Sequence, residues 1–237
     1  MIAIVDYGVG NLFSLQASLK YLGFDAKVTG EKEDLKKADR LILPGVGAFE
    51  DAIAKLRATG LVDTIIDETS KGKYLLGICL GMQLLFKKSY EYGEFEGLGL
   101  IDGDVVSIED DLSPEAKGVL KVPHIGWNAL TLTEMGTCGS GCSDTAASGC
   151  GTASDCVANP EGRCVDPLFK YTKNGDCVYF VHSFYGKNCE KSTIATAEYD
   201  VTITGAVRNG TVYGTQFHPE KSGKVGLDIL RAFTELK

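Results

Sequence analysis

Gly77-Ile78-Cys79-Leu80-Gly81 places a cysteine with glycine at both second neighbours, after the apolar run Tyr74–Ile78 and before Met82-Gln83-Leu84-Leu85-Phe86. A nucleophile so flanked, where a strand passes into a helix, is the arrangement of a nucleophile elbow. The glycines permit a strained turn and close packing, so the side chain projects at the carboxyl edge of a sheet. The N-terminus of a following helix would favour a thiolate, and backbone N–H groups there could hold an oxyanion. The bland alternative is a structural cysteine buried in a glycine-rich turn.

A cysteine nucleophile needs a base and a carboxylate to orient it, and Gln216-Phe217-His218-Pro219-Glu220 supplies both types. On extended backbone, residues two apart face the same way, so His218 and Glu220 share a side, and Pro219 between them disfavours helix. A His-X-Glu pair by itself is weak evidence and also suits a metal site. The zinc deaminase pattern, however, adds a Pro-Cys-X-X-Cys that this chain lacks. His182, in the apolar strand Tyr179-Phe180-Val181-His182, is a rival base, and His124 has no carboxylate at short spacing; packing or hydrogen bonding is the plainer role for each.

The elements that must position these residues follow from periodicity. Ile2–Asp6, Asp25–Thr29, Arg40–Leu43 and Tyr74–Ile78 read as strands. They alternate with helical patterns in which Asn11 caps Leu12, Leu15, Leu19 and Leu22, and in which residues 48–58 and 61–70 are amphipathic. The βαβα order implies a doubly wound, flavodoxin-like α/β sheet, mostly parallel. Strands are expected at 98–108, 119–133, 177–185, 193–199, 201–207 and 211–217, the last two joined by a hairpin at Arg208-Asn209-Gly210. They extend the parallel sheet with antiparallel strands, and a final helix capped by Ser222 carries Val225, Ile229, Leu230 and Phe233. Residues 1–237 read as one domain. The stretch 136–164, rich in Gly, Ser, Ala, Thr and Cys, reads as a surface-loop insertion that cannot supply a core.

Gly77-Ile78-Cys79-Leu80-Gly81-Met82-Gln83 together with His218-Pro219-Glu220 resembles the triad-type, class I glutamine amidotransferases. The resemblance implies that Cys79 is acylated by the γ-amide of glutamine, that His218 shuttles protons and that Glu220 orients it. It also implies that Gln83 contacts glutamine and that the Leu80 amide is an oxyanion donor. Asp6-Tyr7-Gly8-Val9-Gly10-Asn11, Pro44-Gly45-Val46-Gly47-Ala48-Phe49 and Pro123-His124-Ile125-Gly126-Trp127-Asn128 are similar to the glutaminase subunits of imidazole glycerol phosphate synthase, an enzyme of histidine biosynthesis. In that family the Gly45–Gly47 loop reorients a backbone N–H, at Val46 or Gly47, to complete the oxyanion hole, with Gly45 beside the substrate. The partner, a cyclase subunit built as a (β/α)8 barrel, drives that change, forms the heterodimer and receives the ammonia. By the same resemblance Tyr179, His182, Lys221, Trp127 and Asn128 lie at or near the face meeting the cyclase. Phe184 stands where many relatives have tyrosine. The resemblance spans 1–134 and 165–237, and no cofactor is implied.

A formal charge of −8 without a basic patch argues against a nucleic-acid groove, and no apolar run is long enough for a membrane span. The start Met1-Ile2-Ala3-Ile4-Val5-Asp6 reads as a strand and not a signal peptide, so the expected setting is the cytoplasm. Cys138, Cys142, Cys150, Cys156 and Cys164 crowd the insertion. A flexible loop with free thiols is preferred there over thiolate ligation of zinc or an iron–sulfur cluster, with local disulfides third. Two other assignments stay open at this point: the glutaminase of a different biosynthetic amidotransferase, and a cysteine hydrolase using the same elbow. A binding module with a dead site is disfavoured by the intact trio.

Overall fold

The strands of the first half are predominantly apolar and need cover on both faces. In the computed structural model, which describes residues 1–135 and 156–237, they receive it. The first half runs β1 (Ile2–Val5), α1 (Leu12–Tyr21), β2 (Ala26–Thr29), α2 (Lys32–Lys37), β3 (Arg40–Gly45), α3 (Phe49–Ala58), α4 (Val62–Ser70) and β4 (Tyr74–Cys79). After it come the single-turn α5 (Leu80–Gln83), β5 (Phe86–Ser89), β6 (Phe95–Glu96), β7 (Ile101–Ser107) and α6 (Ile108–Asp111). The second half adds β8 (His124–Ala129), β9 (Thr131–Leu132), β10 (Val157–Ala158), β11 (Cys164–Val165), β12 (Cys177–His182) and β13 (Phe184–Lys187). It closes with β14 (Thr193–Tyr199), β15 (Val201–Asn209), β16 (Val212–Thr215) and α7 (Gly223–Glu235).

The main sheet has the order β2-β1-β3-β4-β16-β15-β14-β9. Its members from β2 to β16 pair in parallel, and those from β16 to β9 are antiparallel. This is the expected α/β sheet with an antiparallel extension. Alternation along each strand divides the core. Ile4, Ile42, Leu76 and Ile78 pack with Leu15, Leu19, Ile229 and Phe233 of α1 and α7. Val5, Leu41, Leu43 and Leu75 pack with Leu35, Phe49, Ile53, Leu56 and Ile65 of α2–α4. Two further layers matter for the site: the ribbon β8–β12 and the sheet β13-β7-β5-β6.

Several expectations change. The helix after the elbow is one turn long, because every residue from Leu75 to Phe86 is buried and the chain can pass straight into β5. A four-residue helix is a weak source of dipole, so thiolate stabilisation must come from side chains. Helix α2 has a single buried apolar residue, Leu35, and so no periodicity to betray it. Neither Asn11 nor Ser222 makes a side-chain capping bond. The strand expected at 119–133 shrinks to β8 and β9, and β15 runs on through Asn209, which pairs with Val212.

The expected insertion is corrected at its C-terminal end. Cys156 and Cys164 form a disulfide, β10 and β11 pair as a hairpin, and Cys164 is buried in the core. Asn159 shapes the turn, its Oδ1 accepting from the N–H of Glu161 and Arg163 while its Nδ2 donates to the Thr172 carbonyl. For these two cysteines, free thiols and metal ligation are set aside, since each sulfur is bonded to the other. Cys138, Cys142 and Cys150 lie outside the described residues.

Candidate active site

Cys79 ends β4 with φ of 54°, a left-handed conformation that a side-chain-bearing residue rarely adopts. The flanking glycines make it possible. A Cβ on Gly81 would lie 1.9 Å from the Leu43 carbonyl oxygen, and one on Gly77 would lie 2.6 Å from that of Gly81. The turn is therefore pressed against β3, whose Gly45 would bring a Cβ within 2.6 Å of the Gly81 nitrogen. Pro44 and Gly45 are held from the other side by Tyr7, whose hydroxyl donates to the Pro44 carbonyl at 2.8 Å. Burial, and then the neighbouring Cys79, raise the Tyr7 phenol well above its ordinary value and keep it a donor. Tyr7 thus braces β3 where it approaches the elbow.

His218 and Glu220 follow β16, which lies beside β4 in the sheet with Thr215 opposite Ile78. That register brings the end of β16 alongside Cys79. His218 Nδ1 pairs with Glu220 Oε1 at 2.9 Å, both side chains buried. His218 Nε2 has no hydrogen-bond partner of regular geometry and is left to Cys79. Burial pulls the imidazolium down, but Cys79 and Glu220 outweigh it and raise His218 to about 9. His218 is anchored from below: Ser222 Oγ donates to the His218 carbonyl at 2.6 Å and accepts from the Tyr179 N–H at 2.9 Å. The sequence read Ser222 as a cap; its hydroxyl holds the His218 backbone instead.

A pocket of about 400 Å³ opens over Cys79, lined among others by Val46, Gly47, Leu80, Glu91, Ser183 and His218. Glu91 is its one carboxylate. Burial pushes the Glu91 carboxyl up, partly offset by the Phe49 N–H that it accepts at 2.7 Å. Sequence reasoning missed Glu91, since it lies in the short Ser89–Gly93 turn with no motif around it. Asn11, His218 and Glu220 share a smaller hollow beneath Gly45 and Val46. Gln83, expected to face glutamine, is buried and spends its amide hydrogens on the Phe184 carbonyl and on Gln216.

The residues expected at a partner face divide by strand alternation. Trp127 is 58 % exposed, as is Ile125, and Trp127 packs edge-on against Tyr179 across the ribbon with centroids 6.1 Å apart. Lys221 sits over the Tyr179 ring at 6.0 Å and also lines the pocket. His182 is on the other side of the ribbon, buried, and lines the pocket together with Cys79 and Lys221. Its Nδ1 bonds the Phe184 carbonyl at 2.9 Å and its Nε2 meets His124 Nδ1 at 3.1 Å. Asn128 Nδ2 donates to the Glu198 carbonyl at 2.8 Å and lies 3.4 Å from His124 Nε2. Among the described residues no group of three or more His, Cys, Asp or Glu could hold a metal ion, and no helix is long and apolar enough to cross a membrane.

A strained cysteine elbow on a mostly parallel sheet, with a His–Glu pair delivered by the neighbouring strand, defines the class I glutamine amidotransferases. The family model "Glutamine amidotransferase class-I" matches residues 3–235. A solved glutamine amidotransferase has the same fold, with a TM-score of 0.67 at 20 % identity over 100 % of this chain and 98 % of that one. So has the PurLQS structure from Thermotoga maritima, with a TM-score of 0.65 at 18 % identity over 98 % of this chain and 96 % of that one. Among curated proteins, the imidazole glycerol phosphate synthase subunit HisH of Caldanaerobacter subterraneus subsp. tengcongensis is 44 % identical over 100 % of this chain and 98 % of its own length. The HisH subunit of Syntrophotalea carbinolica is 40 % identical, with both chains covered completely. The chain belongs to the HisH family of class I glutamine amidotransferases.

Proposed function

We propose that this chain hydrolyses glutamine as the glutaminase subunit of imidazole glycerol phosphate synthase and passes the ammonia to a cyclase subunit. The observation that carries the reading is the pairing of His218 with Glu220 on one nitrogen, while the other nitrogen is left to Cys79. Glutamine enters the pocket with its α-ammonium toward Glu91, the one carboxylate in the lining. Cys79 Sγ attacks the γ-carboxamide carbon, and His218 holds the thiol proton. The oxyanion that forms is met by the Leu80 amide and by an N–H of the Val46–Gly47 segment. His218 returns the proton to the departing nitrogen, ammonia leaves, and Cys79 is left as a thioester. His218 then takes a proton from water, whose oxygen displaces the sulfur and releases glutamate. Glu220 keeps the imidazole in the required tautomer.

An apolar rim supports the partner assignment. Trp127 and Tyr179 adjoin Lys221, which lines the same pocket as Cys79, so a subunit seated on this face would cover the mouth of the site. Gly47, with φ of 97°, and half-exposed Val46 form the part of the oxyanion segment best able to reorient. Glutamate release, measured with and without a cyclase subunit and its phosphorylated ligand, tests the reading. The lone chain should be slow by roughly a hundred- to a thousandfold, the usual cost of one missing oxyanion donor. Cys79→Ala should abolish glutamine hydrolysis and leave ammonia-dependent cyclisation by the partner intact. Fast hydrolysis by the lone chain, unchanged by the partner, would refute the coupling. Turnover of Cys79→Ala within about tenfold of wild type would refute the nucleophile.

A further inference from the structure

The buried amides behind Cys79 form a chain with only one possible sense. Gln83 Nε2 donates to the Phe184 backbone carbonyl at 2.8 Å. A carbonyl has no proton to give, so the amide nitrogen of Gln83 must face it. The second hydrogen of that same nitrogen points to Gln216 Oε1 at 3.1 Å. Gln216 therefore cannot turn its oxygen toward Cys79, and its Nε2 lies 3.8 Å from the sulfur. Flipping either amide would set two nitrogens or two oxygens against each other in a site where Gln216 is wholly buried and Gln83 nearly so. The Val181 carbonyl, also 3.8 Å from the sulfur, can accept a hydrogen bond from the thiol but offers nothing to a thiolate. The one-turn α5 adds little.

We propose that Gln216 is a catalytic residue that donates an N–H to the Cys79 sulfur when it is anionic, and that Gln83 is the positioning residue fixing the sense of that donation. The sheet register and the elbow place the pair: Thr215 lies opposite Ile78, so Gln216 follows beside Cys79, and Gln83 is one helical turn beyond the nucleophile. Hydrogen bonds to charged groups are about twice as strong as neutral ones, so the donor favours the attacking thiolate over the resting thiol. The proposal rests on Cys79 as the nucleophile of the proposed function, but its test does not depend on glutamine.

The test is the rate of Cys79 alkylation by iodoacetamide across pH 5–10, read by peptide mass spectrometry on the full chain. Gln216→Leu should slow alkylation at pH 7 about ten- to a hundredfold and move the rate profile to higher pH. Gln216→Glu, close to isosteric, should slow it further, because a carboxylate oxygen would then face the sulfur. Gln83→Leu should slow it less, since Gln216 stays in place without its orienting partner. In the partner-activated enzyme, kcat should fall with KM nearly retained in both Gln216 variants. In wild type, the Gln216 side-chain amide protons should shift by NMR at the same pH as the alkylation profile, and in Cys79→Ser they should not. Superimposable profiles for wild type and folded Gln216→Glu, or no shift of the Gln216 amide in wild type, would overturn the proposal. Glutamate release enters neither readout, so a chain without glutaminase activity could still support the amide pair, and an active one could still refute it.

Discussion

Acid should unfold this protein through His124 and His182. The His182 ring donates to the Phe184 carbonyl through Nδ1, which leaves its Nε2 to accept from His124 Nδ1. His124 is stacked between Phe180 and Tyr199, with centroids at 5.0 and 4.1 Å. A proton added to His182 would occupy the Nε2 that accepts from His124, and one added to His124 would occupy the Nε2 that faces the Asn128 amide nitrogen, each placing donor against donor inside an apolar layer. Burial holds His124 at about 4, and burial with nearby His124 and His218 holds His182 at about 3, against an ordinary 6.5. Their stabilising effect is complete above 6.5 and is lost as the pH falls toward 4 and 3. Between pH 7 and pH 5 the unfolded chain takes up a proton at each ring that the folded chain refuses, at a cost of about 2 kcal/mol per ring. His218 works the other way. Raised to about 9, it contributes fully below 6.5 and loses its contribution as the pH rises through 9, so acidification to pH 5 offsets about 1 kcal/mol. These are the chain's three histidines, and their net effect is a loss of about 3 kcal/mol. Urea unfolding followed by circular dichroism at the two pH values measures it, with a His124→Asn, His182→Gln double variant as reference. A wild-type loss no larger than that of the double variant would refute the reasoning. Ring-proton titration by NMR gives an independent check, since ionisation of both rings above pH 6 is incompatible with it.

Gly81→Ala should fail to give a native elbow, because its Cβ would sit 1.9 Å from the Leu43 carbonyl oxygen and only a shift of β3 relieves it. Thermal melts should show severe destabilisation, whereas Gly72→Ala, where nothing lies within 4 Å of the added Cβ, should cost only the strain of a positive φ. Replacement of residues 136–155 by a short Gly-Ser turn should leave partner-activated glutaminase within a fewfold of wild type. The exchange should stop there: extending it through Cys164 removes a core residue and the disulfide and should lower the melting temperature.

Cys79 between its glycines was legible as a candidate nucleophile from local spacing, whereas the His218–Glu220 pair was weak by spacing and gained its role from the resemblance. The first half of the sheet was legible because its central strands are almost wholly apolar and the helices at 12–21, 49–58 and 62–70 carry their period in the chain, whereas α2 with its single buried Leu35 does not. The one-turn helix after the elbow was not, because twelve successive buried residues from Leu75 to Phe86 suit strand or helix equally. Nor was the Cys156–Cys164 bond, since pairing depends on which sulfurs a fold brings together. Glu91, in the turn after β5, lines the pocket with Cys79, and Gln216, just past β16, lies beside its sulfur, through pairings that no local motif encodes. Ser222 looked like a helix cap, and its hydroxyl instead holds the His218 carbonyl. His182 was read from its apolar strand as packing or hydrogen bonding, but its partners His124 and Phe184, which keep the buried imidazole neutral and bonded, came only with the tertiary structure. Residue type and short-range spacing determined which groups could react. Strand register and burial decided which way they face, what supports them and which protons they keep, because those depend on contacts between segments far apart in the chain.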